Sequence, residues 1–94
     1  MKYESMVIFR ESLSDDDLEK EQEKLKETIV KAEGEVVDMD FWGKRKLAYP
    51  IQKCEYGYYI VSHFLMEATN ITQINRYYKF NENIIRFNIL NQDI

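Results

Sequence analysis

The 94-residue chain is poor in several residue types at once: one cysteine, one proline, one histidine and three glycines. A lone Cys54 can form no internal disulfide, and Cys54 with His63 supplies too few donors for a structural zinc site. Glycines at 34, 43 and 57 cannot build the loop that cradles the phosphates of a nucleotide. The apolar runs are only a few residues long, against the roughly 20 that a membrane-crossing helix requires. The amino end also lacks the charged, apolar and small-residue succession of a secretory signal, so a cytoplasmic protein is expected. At this length one domain spanning residues 1–94, with one modest core, is expected.

Catalytic signals are equally scarce. Cys54 falls in a predicted turn and His63 well along a predicted strand, with no third group to orient them as a nucleophile and base. A solvent-facing thiol and a histidine on an open sheet face are expected instead. No catalytic residue, metal or cofactor is expected.

Positive charge is in short supply overall, with a net charge of −4, but it is not evenly spread. Residues 1–40 hold 6 Lys and Arg against 13 Asp and Glu, whereas residues 41–94 hold 7 against 4. Phosphate binding depends on where cations cluster rather than on their sum. They cluster in Trp42-Gly43-Lys44-Arg45-Lys46-Leu47-Ala48-Tyr49-Pro50-Ile51, where three consecutive cations sit among aromatics, a pattern suited to an anionic polymer. A charge run that blocks edge-strand pairing has the same composition. In an extended segment, moreover, Lys44 and Lys46 point away from Arg45 unless a bulge at Gly43 rotates them. Tyr49 can stack on a base or a guanidinium, but packing at a strand end is the favoured reading.

The secondary structure follows from local signals. Tyr3 to Phe9 reads as a strand buried on both faces, and Ser14 with Asp15-Asp16-Asp17 as a capped helix start at capping-box spacing. Leu18, Leu25, Ile29 and Ala32 form the helix stripe, with Gln22 filling the remaining turn and Gly34 expected as a left-handed cap. Val36 to Tyr49 reads as a long strand kinked at Gly43. Its pairing is expected to end at Pro50, with a turn through Gln52 to Glu55. A third strand runs from Tyr58 to Met66. Thr69 or Asn70 is expected to cap a second helix that presents Ile71, Ile74 and Tyr78, and Ile84 to Leu90 closes the pattern.

This strand, helix, strand, strand, helix, strand order gives the ferredoxin-like α+β sandwich. Its four-stranded antiparallel sheet should run four, one, three, two, with both helices on one face. The third strand is apolar on both sides, since Ile60, Phe64 and Met66 alternate with Tyr59, Val61 and Leu65. Something is therefore expected to cover the face that the helices leave open.

The same residues carry a resemblance. The Trp42 to Ile51 string, Gly57-Tyr58, Phe80-Asn81-Glu82-Asn83-Ile84-Ile85-Arg86 and the opening Lys2-Tyr3-Glu4 together resemble the sixth-protein family of the bacterial small ribosomal subunit. The resemblance spans the whole chain. It implies a non-catalytic protein that binds the central domain of small-subunit ribosomal RNA and pairs with the small, basic eighteenth protein of that subunit. Arg45, Lys46 and Arg86 match the family's basic positions and become the expected RNA contacts, with Lys2 a fourth. Tyr59 and Val61 are the expected partner contacts on the open face. An RNA-recognition-motif module or a small-molecule regulatory domain shares the strand order. The first needs aromatics on the open face of strand one, where this chain has Glu4, Met6, Ile8 and Arg10.

Overall fold

Helix α1 (Asp15–Lys31) begins where its capping signal stands. The Asp17 amide donates to Ser14 Oγ at 3.1 Å, and the Ser14 amide donates back to the Asp17 carboxylate. In the computed structural model, which describes residues 1–93, the remaining elements are β1 (Lys2–Arg10), β2 (Glu35–Ile51), β3 (Cys54–Leu65), α2 (Ile71–Phe80) and β4 (Ile84–Asn91). A single 3-10 turn at Ala68–Asn70 leads into α2. The sheet is antiparallel throughout and ordered β2-β3-β1-β4, the expected ferredoxin-like order read from its other edge.

Strand alternation sends Tyr3, Ser5, Val7 and Phe9 of β1, with Ile60, Ser62 and Phe64 of β3, to the helix side, where all are buried. There they meet Leu18, Leu25 and Ile29 of α1 and Ile74 and Tyr78 of α2 in one cluster. One polar chain crosses this core. Ser5 Oγ lies 2.7 Å from Ser62 Oγ and 2.8 Å from the Tyr78 hydroxyl. Burial pushes the Tyr78 phenol above its ordinary pKa, which keeps it a neutral hydrogen-bonding partner.

Several local expectations change. Gly34 does not take the left-handed conformation at the end of α1; Glu33 does, at φ 62°. The amides of Glu33 and Gly34 close a Schellman motif onto the Val30 and Ile29 carbonyls. Gly34 is instead limited by space, because a Cβ there would lie 2.7 Å from Met66 Cε and 2.9 Å from Ile29 Cγ2. The buried polar residue of α1 is Glu21 rather than Gln22; its carboxylate accepts from the Asn81 and Asn83 side-chain amides, tying α1 to the turn before β4. Asn70 makes no side-chain cap bond to α2. Its amide donates to the Ala32 carbonyl and so serves the end of α1.

The β2–β3 hairpin is longer and tighter than expected. Pairing passes Pro50 and reaches Ile51↔Cys54. Pro50 is tolerated because β2 is an edge strand, so no ladder partner is lost there. The turn is Gln52-Lys53 alone, with both residues at positive φ. The bulge expected at Gly43 is present: the register shifts between Phe41 and Gly43, and Gly43 adopts φ 85° with open space where a Cβ would stand.

Two stability outcomes follow. Ile29→Ala should lose about 2–5 kcal/mol in urea unfolding as a core truncation. Replacing Gln52-Lys53 by Asn-Gly should gain about 1 kcal/mol, because both positions are left-handed and Asn and Gly adopt that conformation more readily. A loss on the second change would contradict the turn geometry.

Candidate nucleic-acid interface

The unbroken β1–β3 register arranges the helix-free face in transverse rows. From one end these rows read Glu35–Leu65–Lys2, Asp38–His63–Glu4–Leu90, Asp40–Val61–Met6–Asn88, Gly43–Tyr59–Ile8–Arg86 and Arg45–Gly57–Arg10. Carboxylates occupy the first three rows and arginines the last two, so the face is electrically divided along its length. Lys2 is the one cation at the acidic end of these rows.

At the cationic end the distal hairpin curls onto the sheet. Leu47 packs with Ile8 and Ile85 in a second buried cluster, flanked by Met6, Ile51, Cys54 and Tyr59. Cys54 is thus half-buried against this cluster rather than solvent-facing. Part of the cover for the doubly apolar β3 therefore comes from the chain itself. Gly57 permits the curl: a Cβ at that position would come 2.4 Å from Ile8 Cγ2.

Three cations of this region sit on aromatic rings. The Arg45 guanidinium lies 5.0 Å from the Trp42 ring centroid, Arg86 lies 5.7 Å from Tyr49, and Lys44 Nζ lies 5.4 Å from Tyr56. Arg86 also donates to the Tyr49 hydroxyl. Such contacts contribute about 0.5–1 kcal/mol at exposed sites, enough to orient a guanidinium without hiding it. Tyr49 therefore takes the guanidinium-stacking role, and Trp42, whose part was not legible beforehand, takes the equivalent one beside Arg45.

The structure brings together only some of the expected residues. Arg45 and Arg86 share the cationic end of the open face. Lys46, opposite Tyr56 in the ladder, alternates to the other side of β2. Lys2 stands eight residues from Arg10 on β1, roughly 27 Å at strand spacing. Arg10 is an addition at the cationic end, although it is half-buried and also donates to the Glu82 carbonyl. Tyr59 is half-buried. Val61 is only 5% exposed, with Trp42, Met6 and Leu90 around it, so its burial is already largely complete within the chain.

His63 does lie on the open face, between two carboxylates. Its Nδ1 is 2.6 Å from Asp38 Oδ1 and its Nε2 is 3.1 Å from Glu4 Oε1. The hydrogen bond to Asp38 is the main cause that raises the His63 pKa above 6.5, and Glu4 adds to it.

The family model for ribosomal protein S6 matches residues 2–91. The chain belongs to the ribosomal protein S6 family. Its sequence is 39% identical over 88 residues to small ribosomal subunit protein bS6 of Dictyoglomus turgidum, covering 94% of this chain and 91% of that one. Over 89 residues it is 37% identical to the bS6 protein of Clostridium acetobutylicum, covering 95% and 94%. The crystal structure of 30S ribosomal protein S6 from Thermotoga maritima superposes with a TM-score of 0.92 at 29% identity, covering 95% of this chain and 84% of that one. Membership makes the chain a non-enzymatic component of the small ribosomal subunit. Among the described residues, no helix is long and apolar enough to cross a membrane.

A raised folded-state pKa means that the His63 contacts stabilise the protein fully below pH 6.5 and lose that contribution as pH rises through the folded value. An NMR titration of the His63 ring should therefore show a midpoint above 6.5, and Asp38→Asn should lower it. A midpoint unmoved by that substitution would place the ring away from Asp38.

Proposed function

We propose that this S6-family chain binds the central domain of small-subunit ribosomal RNA as half of a pair with the eighteenth small-subunit protein. The observation that carries this reading is the division of charge along the open face. A chain of net charge −4 gains little long-range attraction to RNA, so its phosphate contacts must be local. Arg45 and Arg86, oriented by Trp42 and Tyr49, supply two such contacts on one face. Lys46 reaches RNA that wraps the β2 edge, and Lys2 meets a separate stretch of backbone at the far end of β1.

A basic partner supplies the cations that this chain lacks, and the acidic rows suit it electrostatically. Val61 belongs to that docking region, and Tyr59, one row away beside Ile8 and Arg86, borders it. With Val61 nearly covered, the partner meets chiefly the exposed side chains around it, including Trp42 and Leu90. The reading thus assigns opposite ends of one sheet face to two ligands of opposite charge.

Binding of central-domain RNA, measured over a salt series with and without the eighteenth protein, tests this directly. Arg45→Ala and Arg86→Ala should each weaken binding across RNA sequences and reduce the salt slope by somewhat under one unit. Lys24→Ala and Lys31→Ala, on the acidic helix α1, should leave it unchanged. Equal losses in both sets, or pair-independent affinity, would remove the reading.

A further inference from the structure

The acidic end of the open face holds a slot of about 170 Å³ lined by Glu4, Met6, Trp42, Val61, Asn88 and Leu90. Its base is apolar, with Met6 half-buried and Val61 buried, while Trp42 and Leu90 remain 47% and 50% exposed at its edges. Glu4 and Asn88 bring polar atoms into the same cavity. Around it the rows add Glu35, Asp38 and Asp40, with Lys2 as their single cation. Lys2 apart, none of these features helps to hold a phosphate.

Resting on the protein-pair reading above, we propose that this slot is the anchor point for a cationic protein segment, one arginine of which inserts beside Trp42 and pairs with Glu4. Each part of an arginine finds its counterpart. Its methylene stem matches Met6 and Val61, its planar guanidinium matches the indole, and its N–H groups match a carboxylate. A lysine would satisfy the charge but neither the stacking nor the forked geometry. A nucleotide would bring its phosphate against four carboxylates. Trp42 then serves both ends of the face, holding Arg45 on the RNA side and receiving the partner's arginine on the other.

The slot also ties pairing to a proton. Glu4 from β1 and Asp38 from β2 flank His63, with Lys2, Glu35 and Asp40 in the adjoining rows and both helices on the opposite face. An arginine on Glu4 competes with the protonated ring. Pairing should therefore release protons and strengthen as pH rises through the His63 midpoint.

Trp42 is the sole tryptophan of this chain, so its tryptophan fluorescence comes from the edge of the slot. The full chain is titrated with purified eighteenth protein while fluorescence and calorimetric heat are followed on both sides of that midpoint. The proposal expects a saturable fluorescence change, proton release that His63→Gln abolishes, and an affinity lowered about tenfold or more by Glu4→Gln. Asp40→Lys, at an exposed strand position, should weaken pairing as well, which keeps the test open if Glu4→Gln disturbs its own surroundings. Lys31→Ala, on helix α1, should leave pairing unchanged. Tight pairing indifferent to Glu4→Gln and Asp40→Lys overturns the slot and leaves the proposed function standing. Absence of pairing in the unaltered chain overturns both. Perturbation of Trp42 by RNA alone, lost in Glu4→Gln, overturns the arginine socket in favour of a nucleobase site.

Discussion

The register between β1 and β3 is the constraint on which the rest depends. Nine consecutive pairs, from Lys2↔Leu65 to Arg10↔Gly57, run without a bulge through the centre of the sheet. A slip of one residue would carry either Val7 and Phe9 or Ile60 and Phe64 to the open face and would part Ser5 from Ser62. The hydroxyl chain thus adds specificity to a pairing whose strength comes from apolar burial. The same register lines the charges into rows, so the packing of the core and the electrical division of the surface have one origin.

Both of those outcomes draw on side chains of opposite character along a single strand. In β1 the odd positions build the core, while Glu4 and Arg10 contribute to opposite ends of the charged face. The acidic excess is therefore not confined to α1. Four of its carboxylates, Glu4, Glu35, Asp38 and Asp40, lie on the same sheet face as the arginines they would otherwise neutralise. Distance along the strands keeps the two sets apart.

Much of the fold was legible because its signals are local. Ser14 with Asp17, the stripe through Leu25 and Ile29, and the alternation of β3 each act within a few residues. What was not legible required knowledge of distant neighbours. Gly34 looked like a left-handed cap, but Met66 from the end of β3 is what forbids a side chain there. Asn70 carries capping chemistry, yet its amide is taken by Ala32, 38 positions earlier. Pro50 signals a strand end only if the strand has partners on both sides, and β2 has one. For the interface, alternation placed Arg45 and Arg86 but did not pair them with their rings, because Trp42 and Tyr49 reach them only through the bulge and the curl of the hairpin. The likeness to a family supplied positions; the pairing register supplied their grouping.

The curl of the β2–β3 hairpin bears on motion as well as shape. Its distal half is anchored to the sheet by a cluster with three buried members, Ile8, Leu47 and Ile85, against thirteen in the main core. Elements with fewer buried contacts open at lower free energy than the domain as a whole. Arg45 and Tyr49 therefore ride on a cooperative unit that can lift while the helices stay docked. Amide exchange in the hairpin arm should run ahead of global unfolding. A ligand that closes the arm would restore part of that protection without touching the main core, so its affinity includes the cost of stilling the arm.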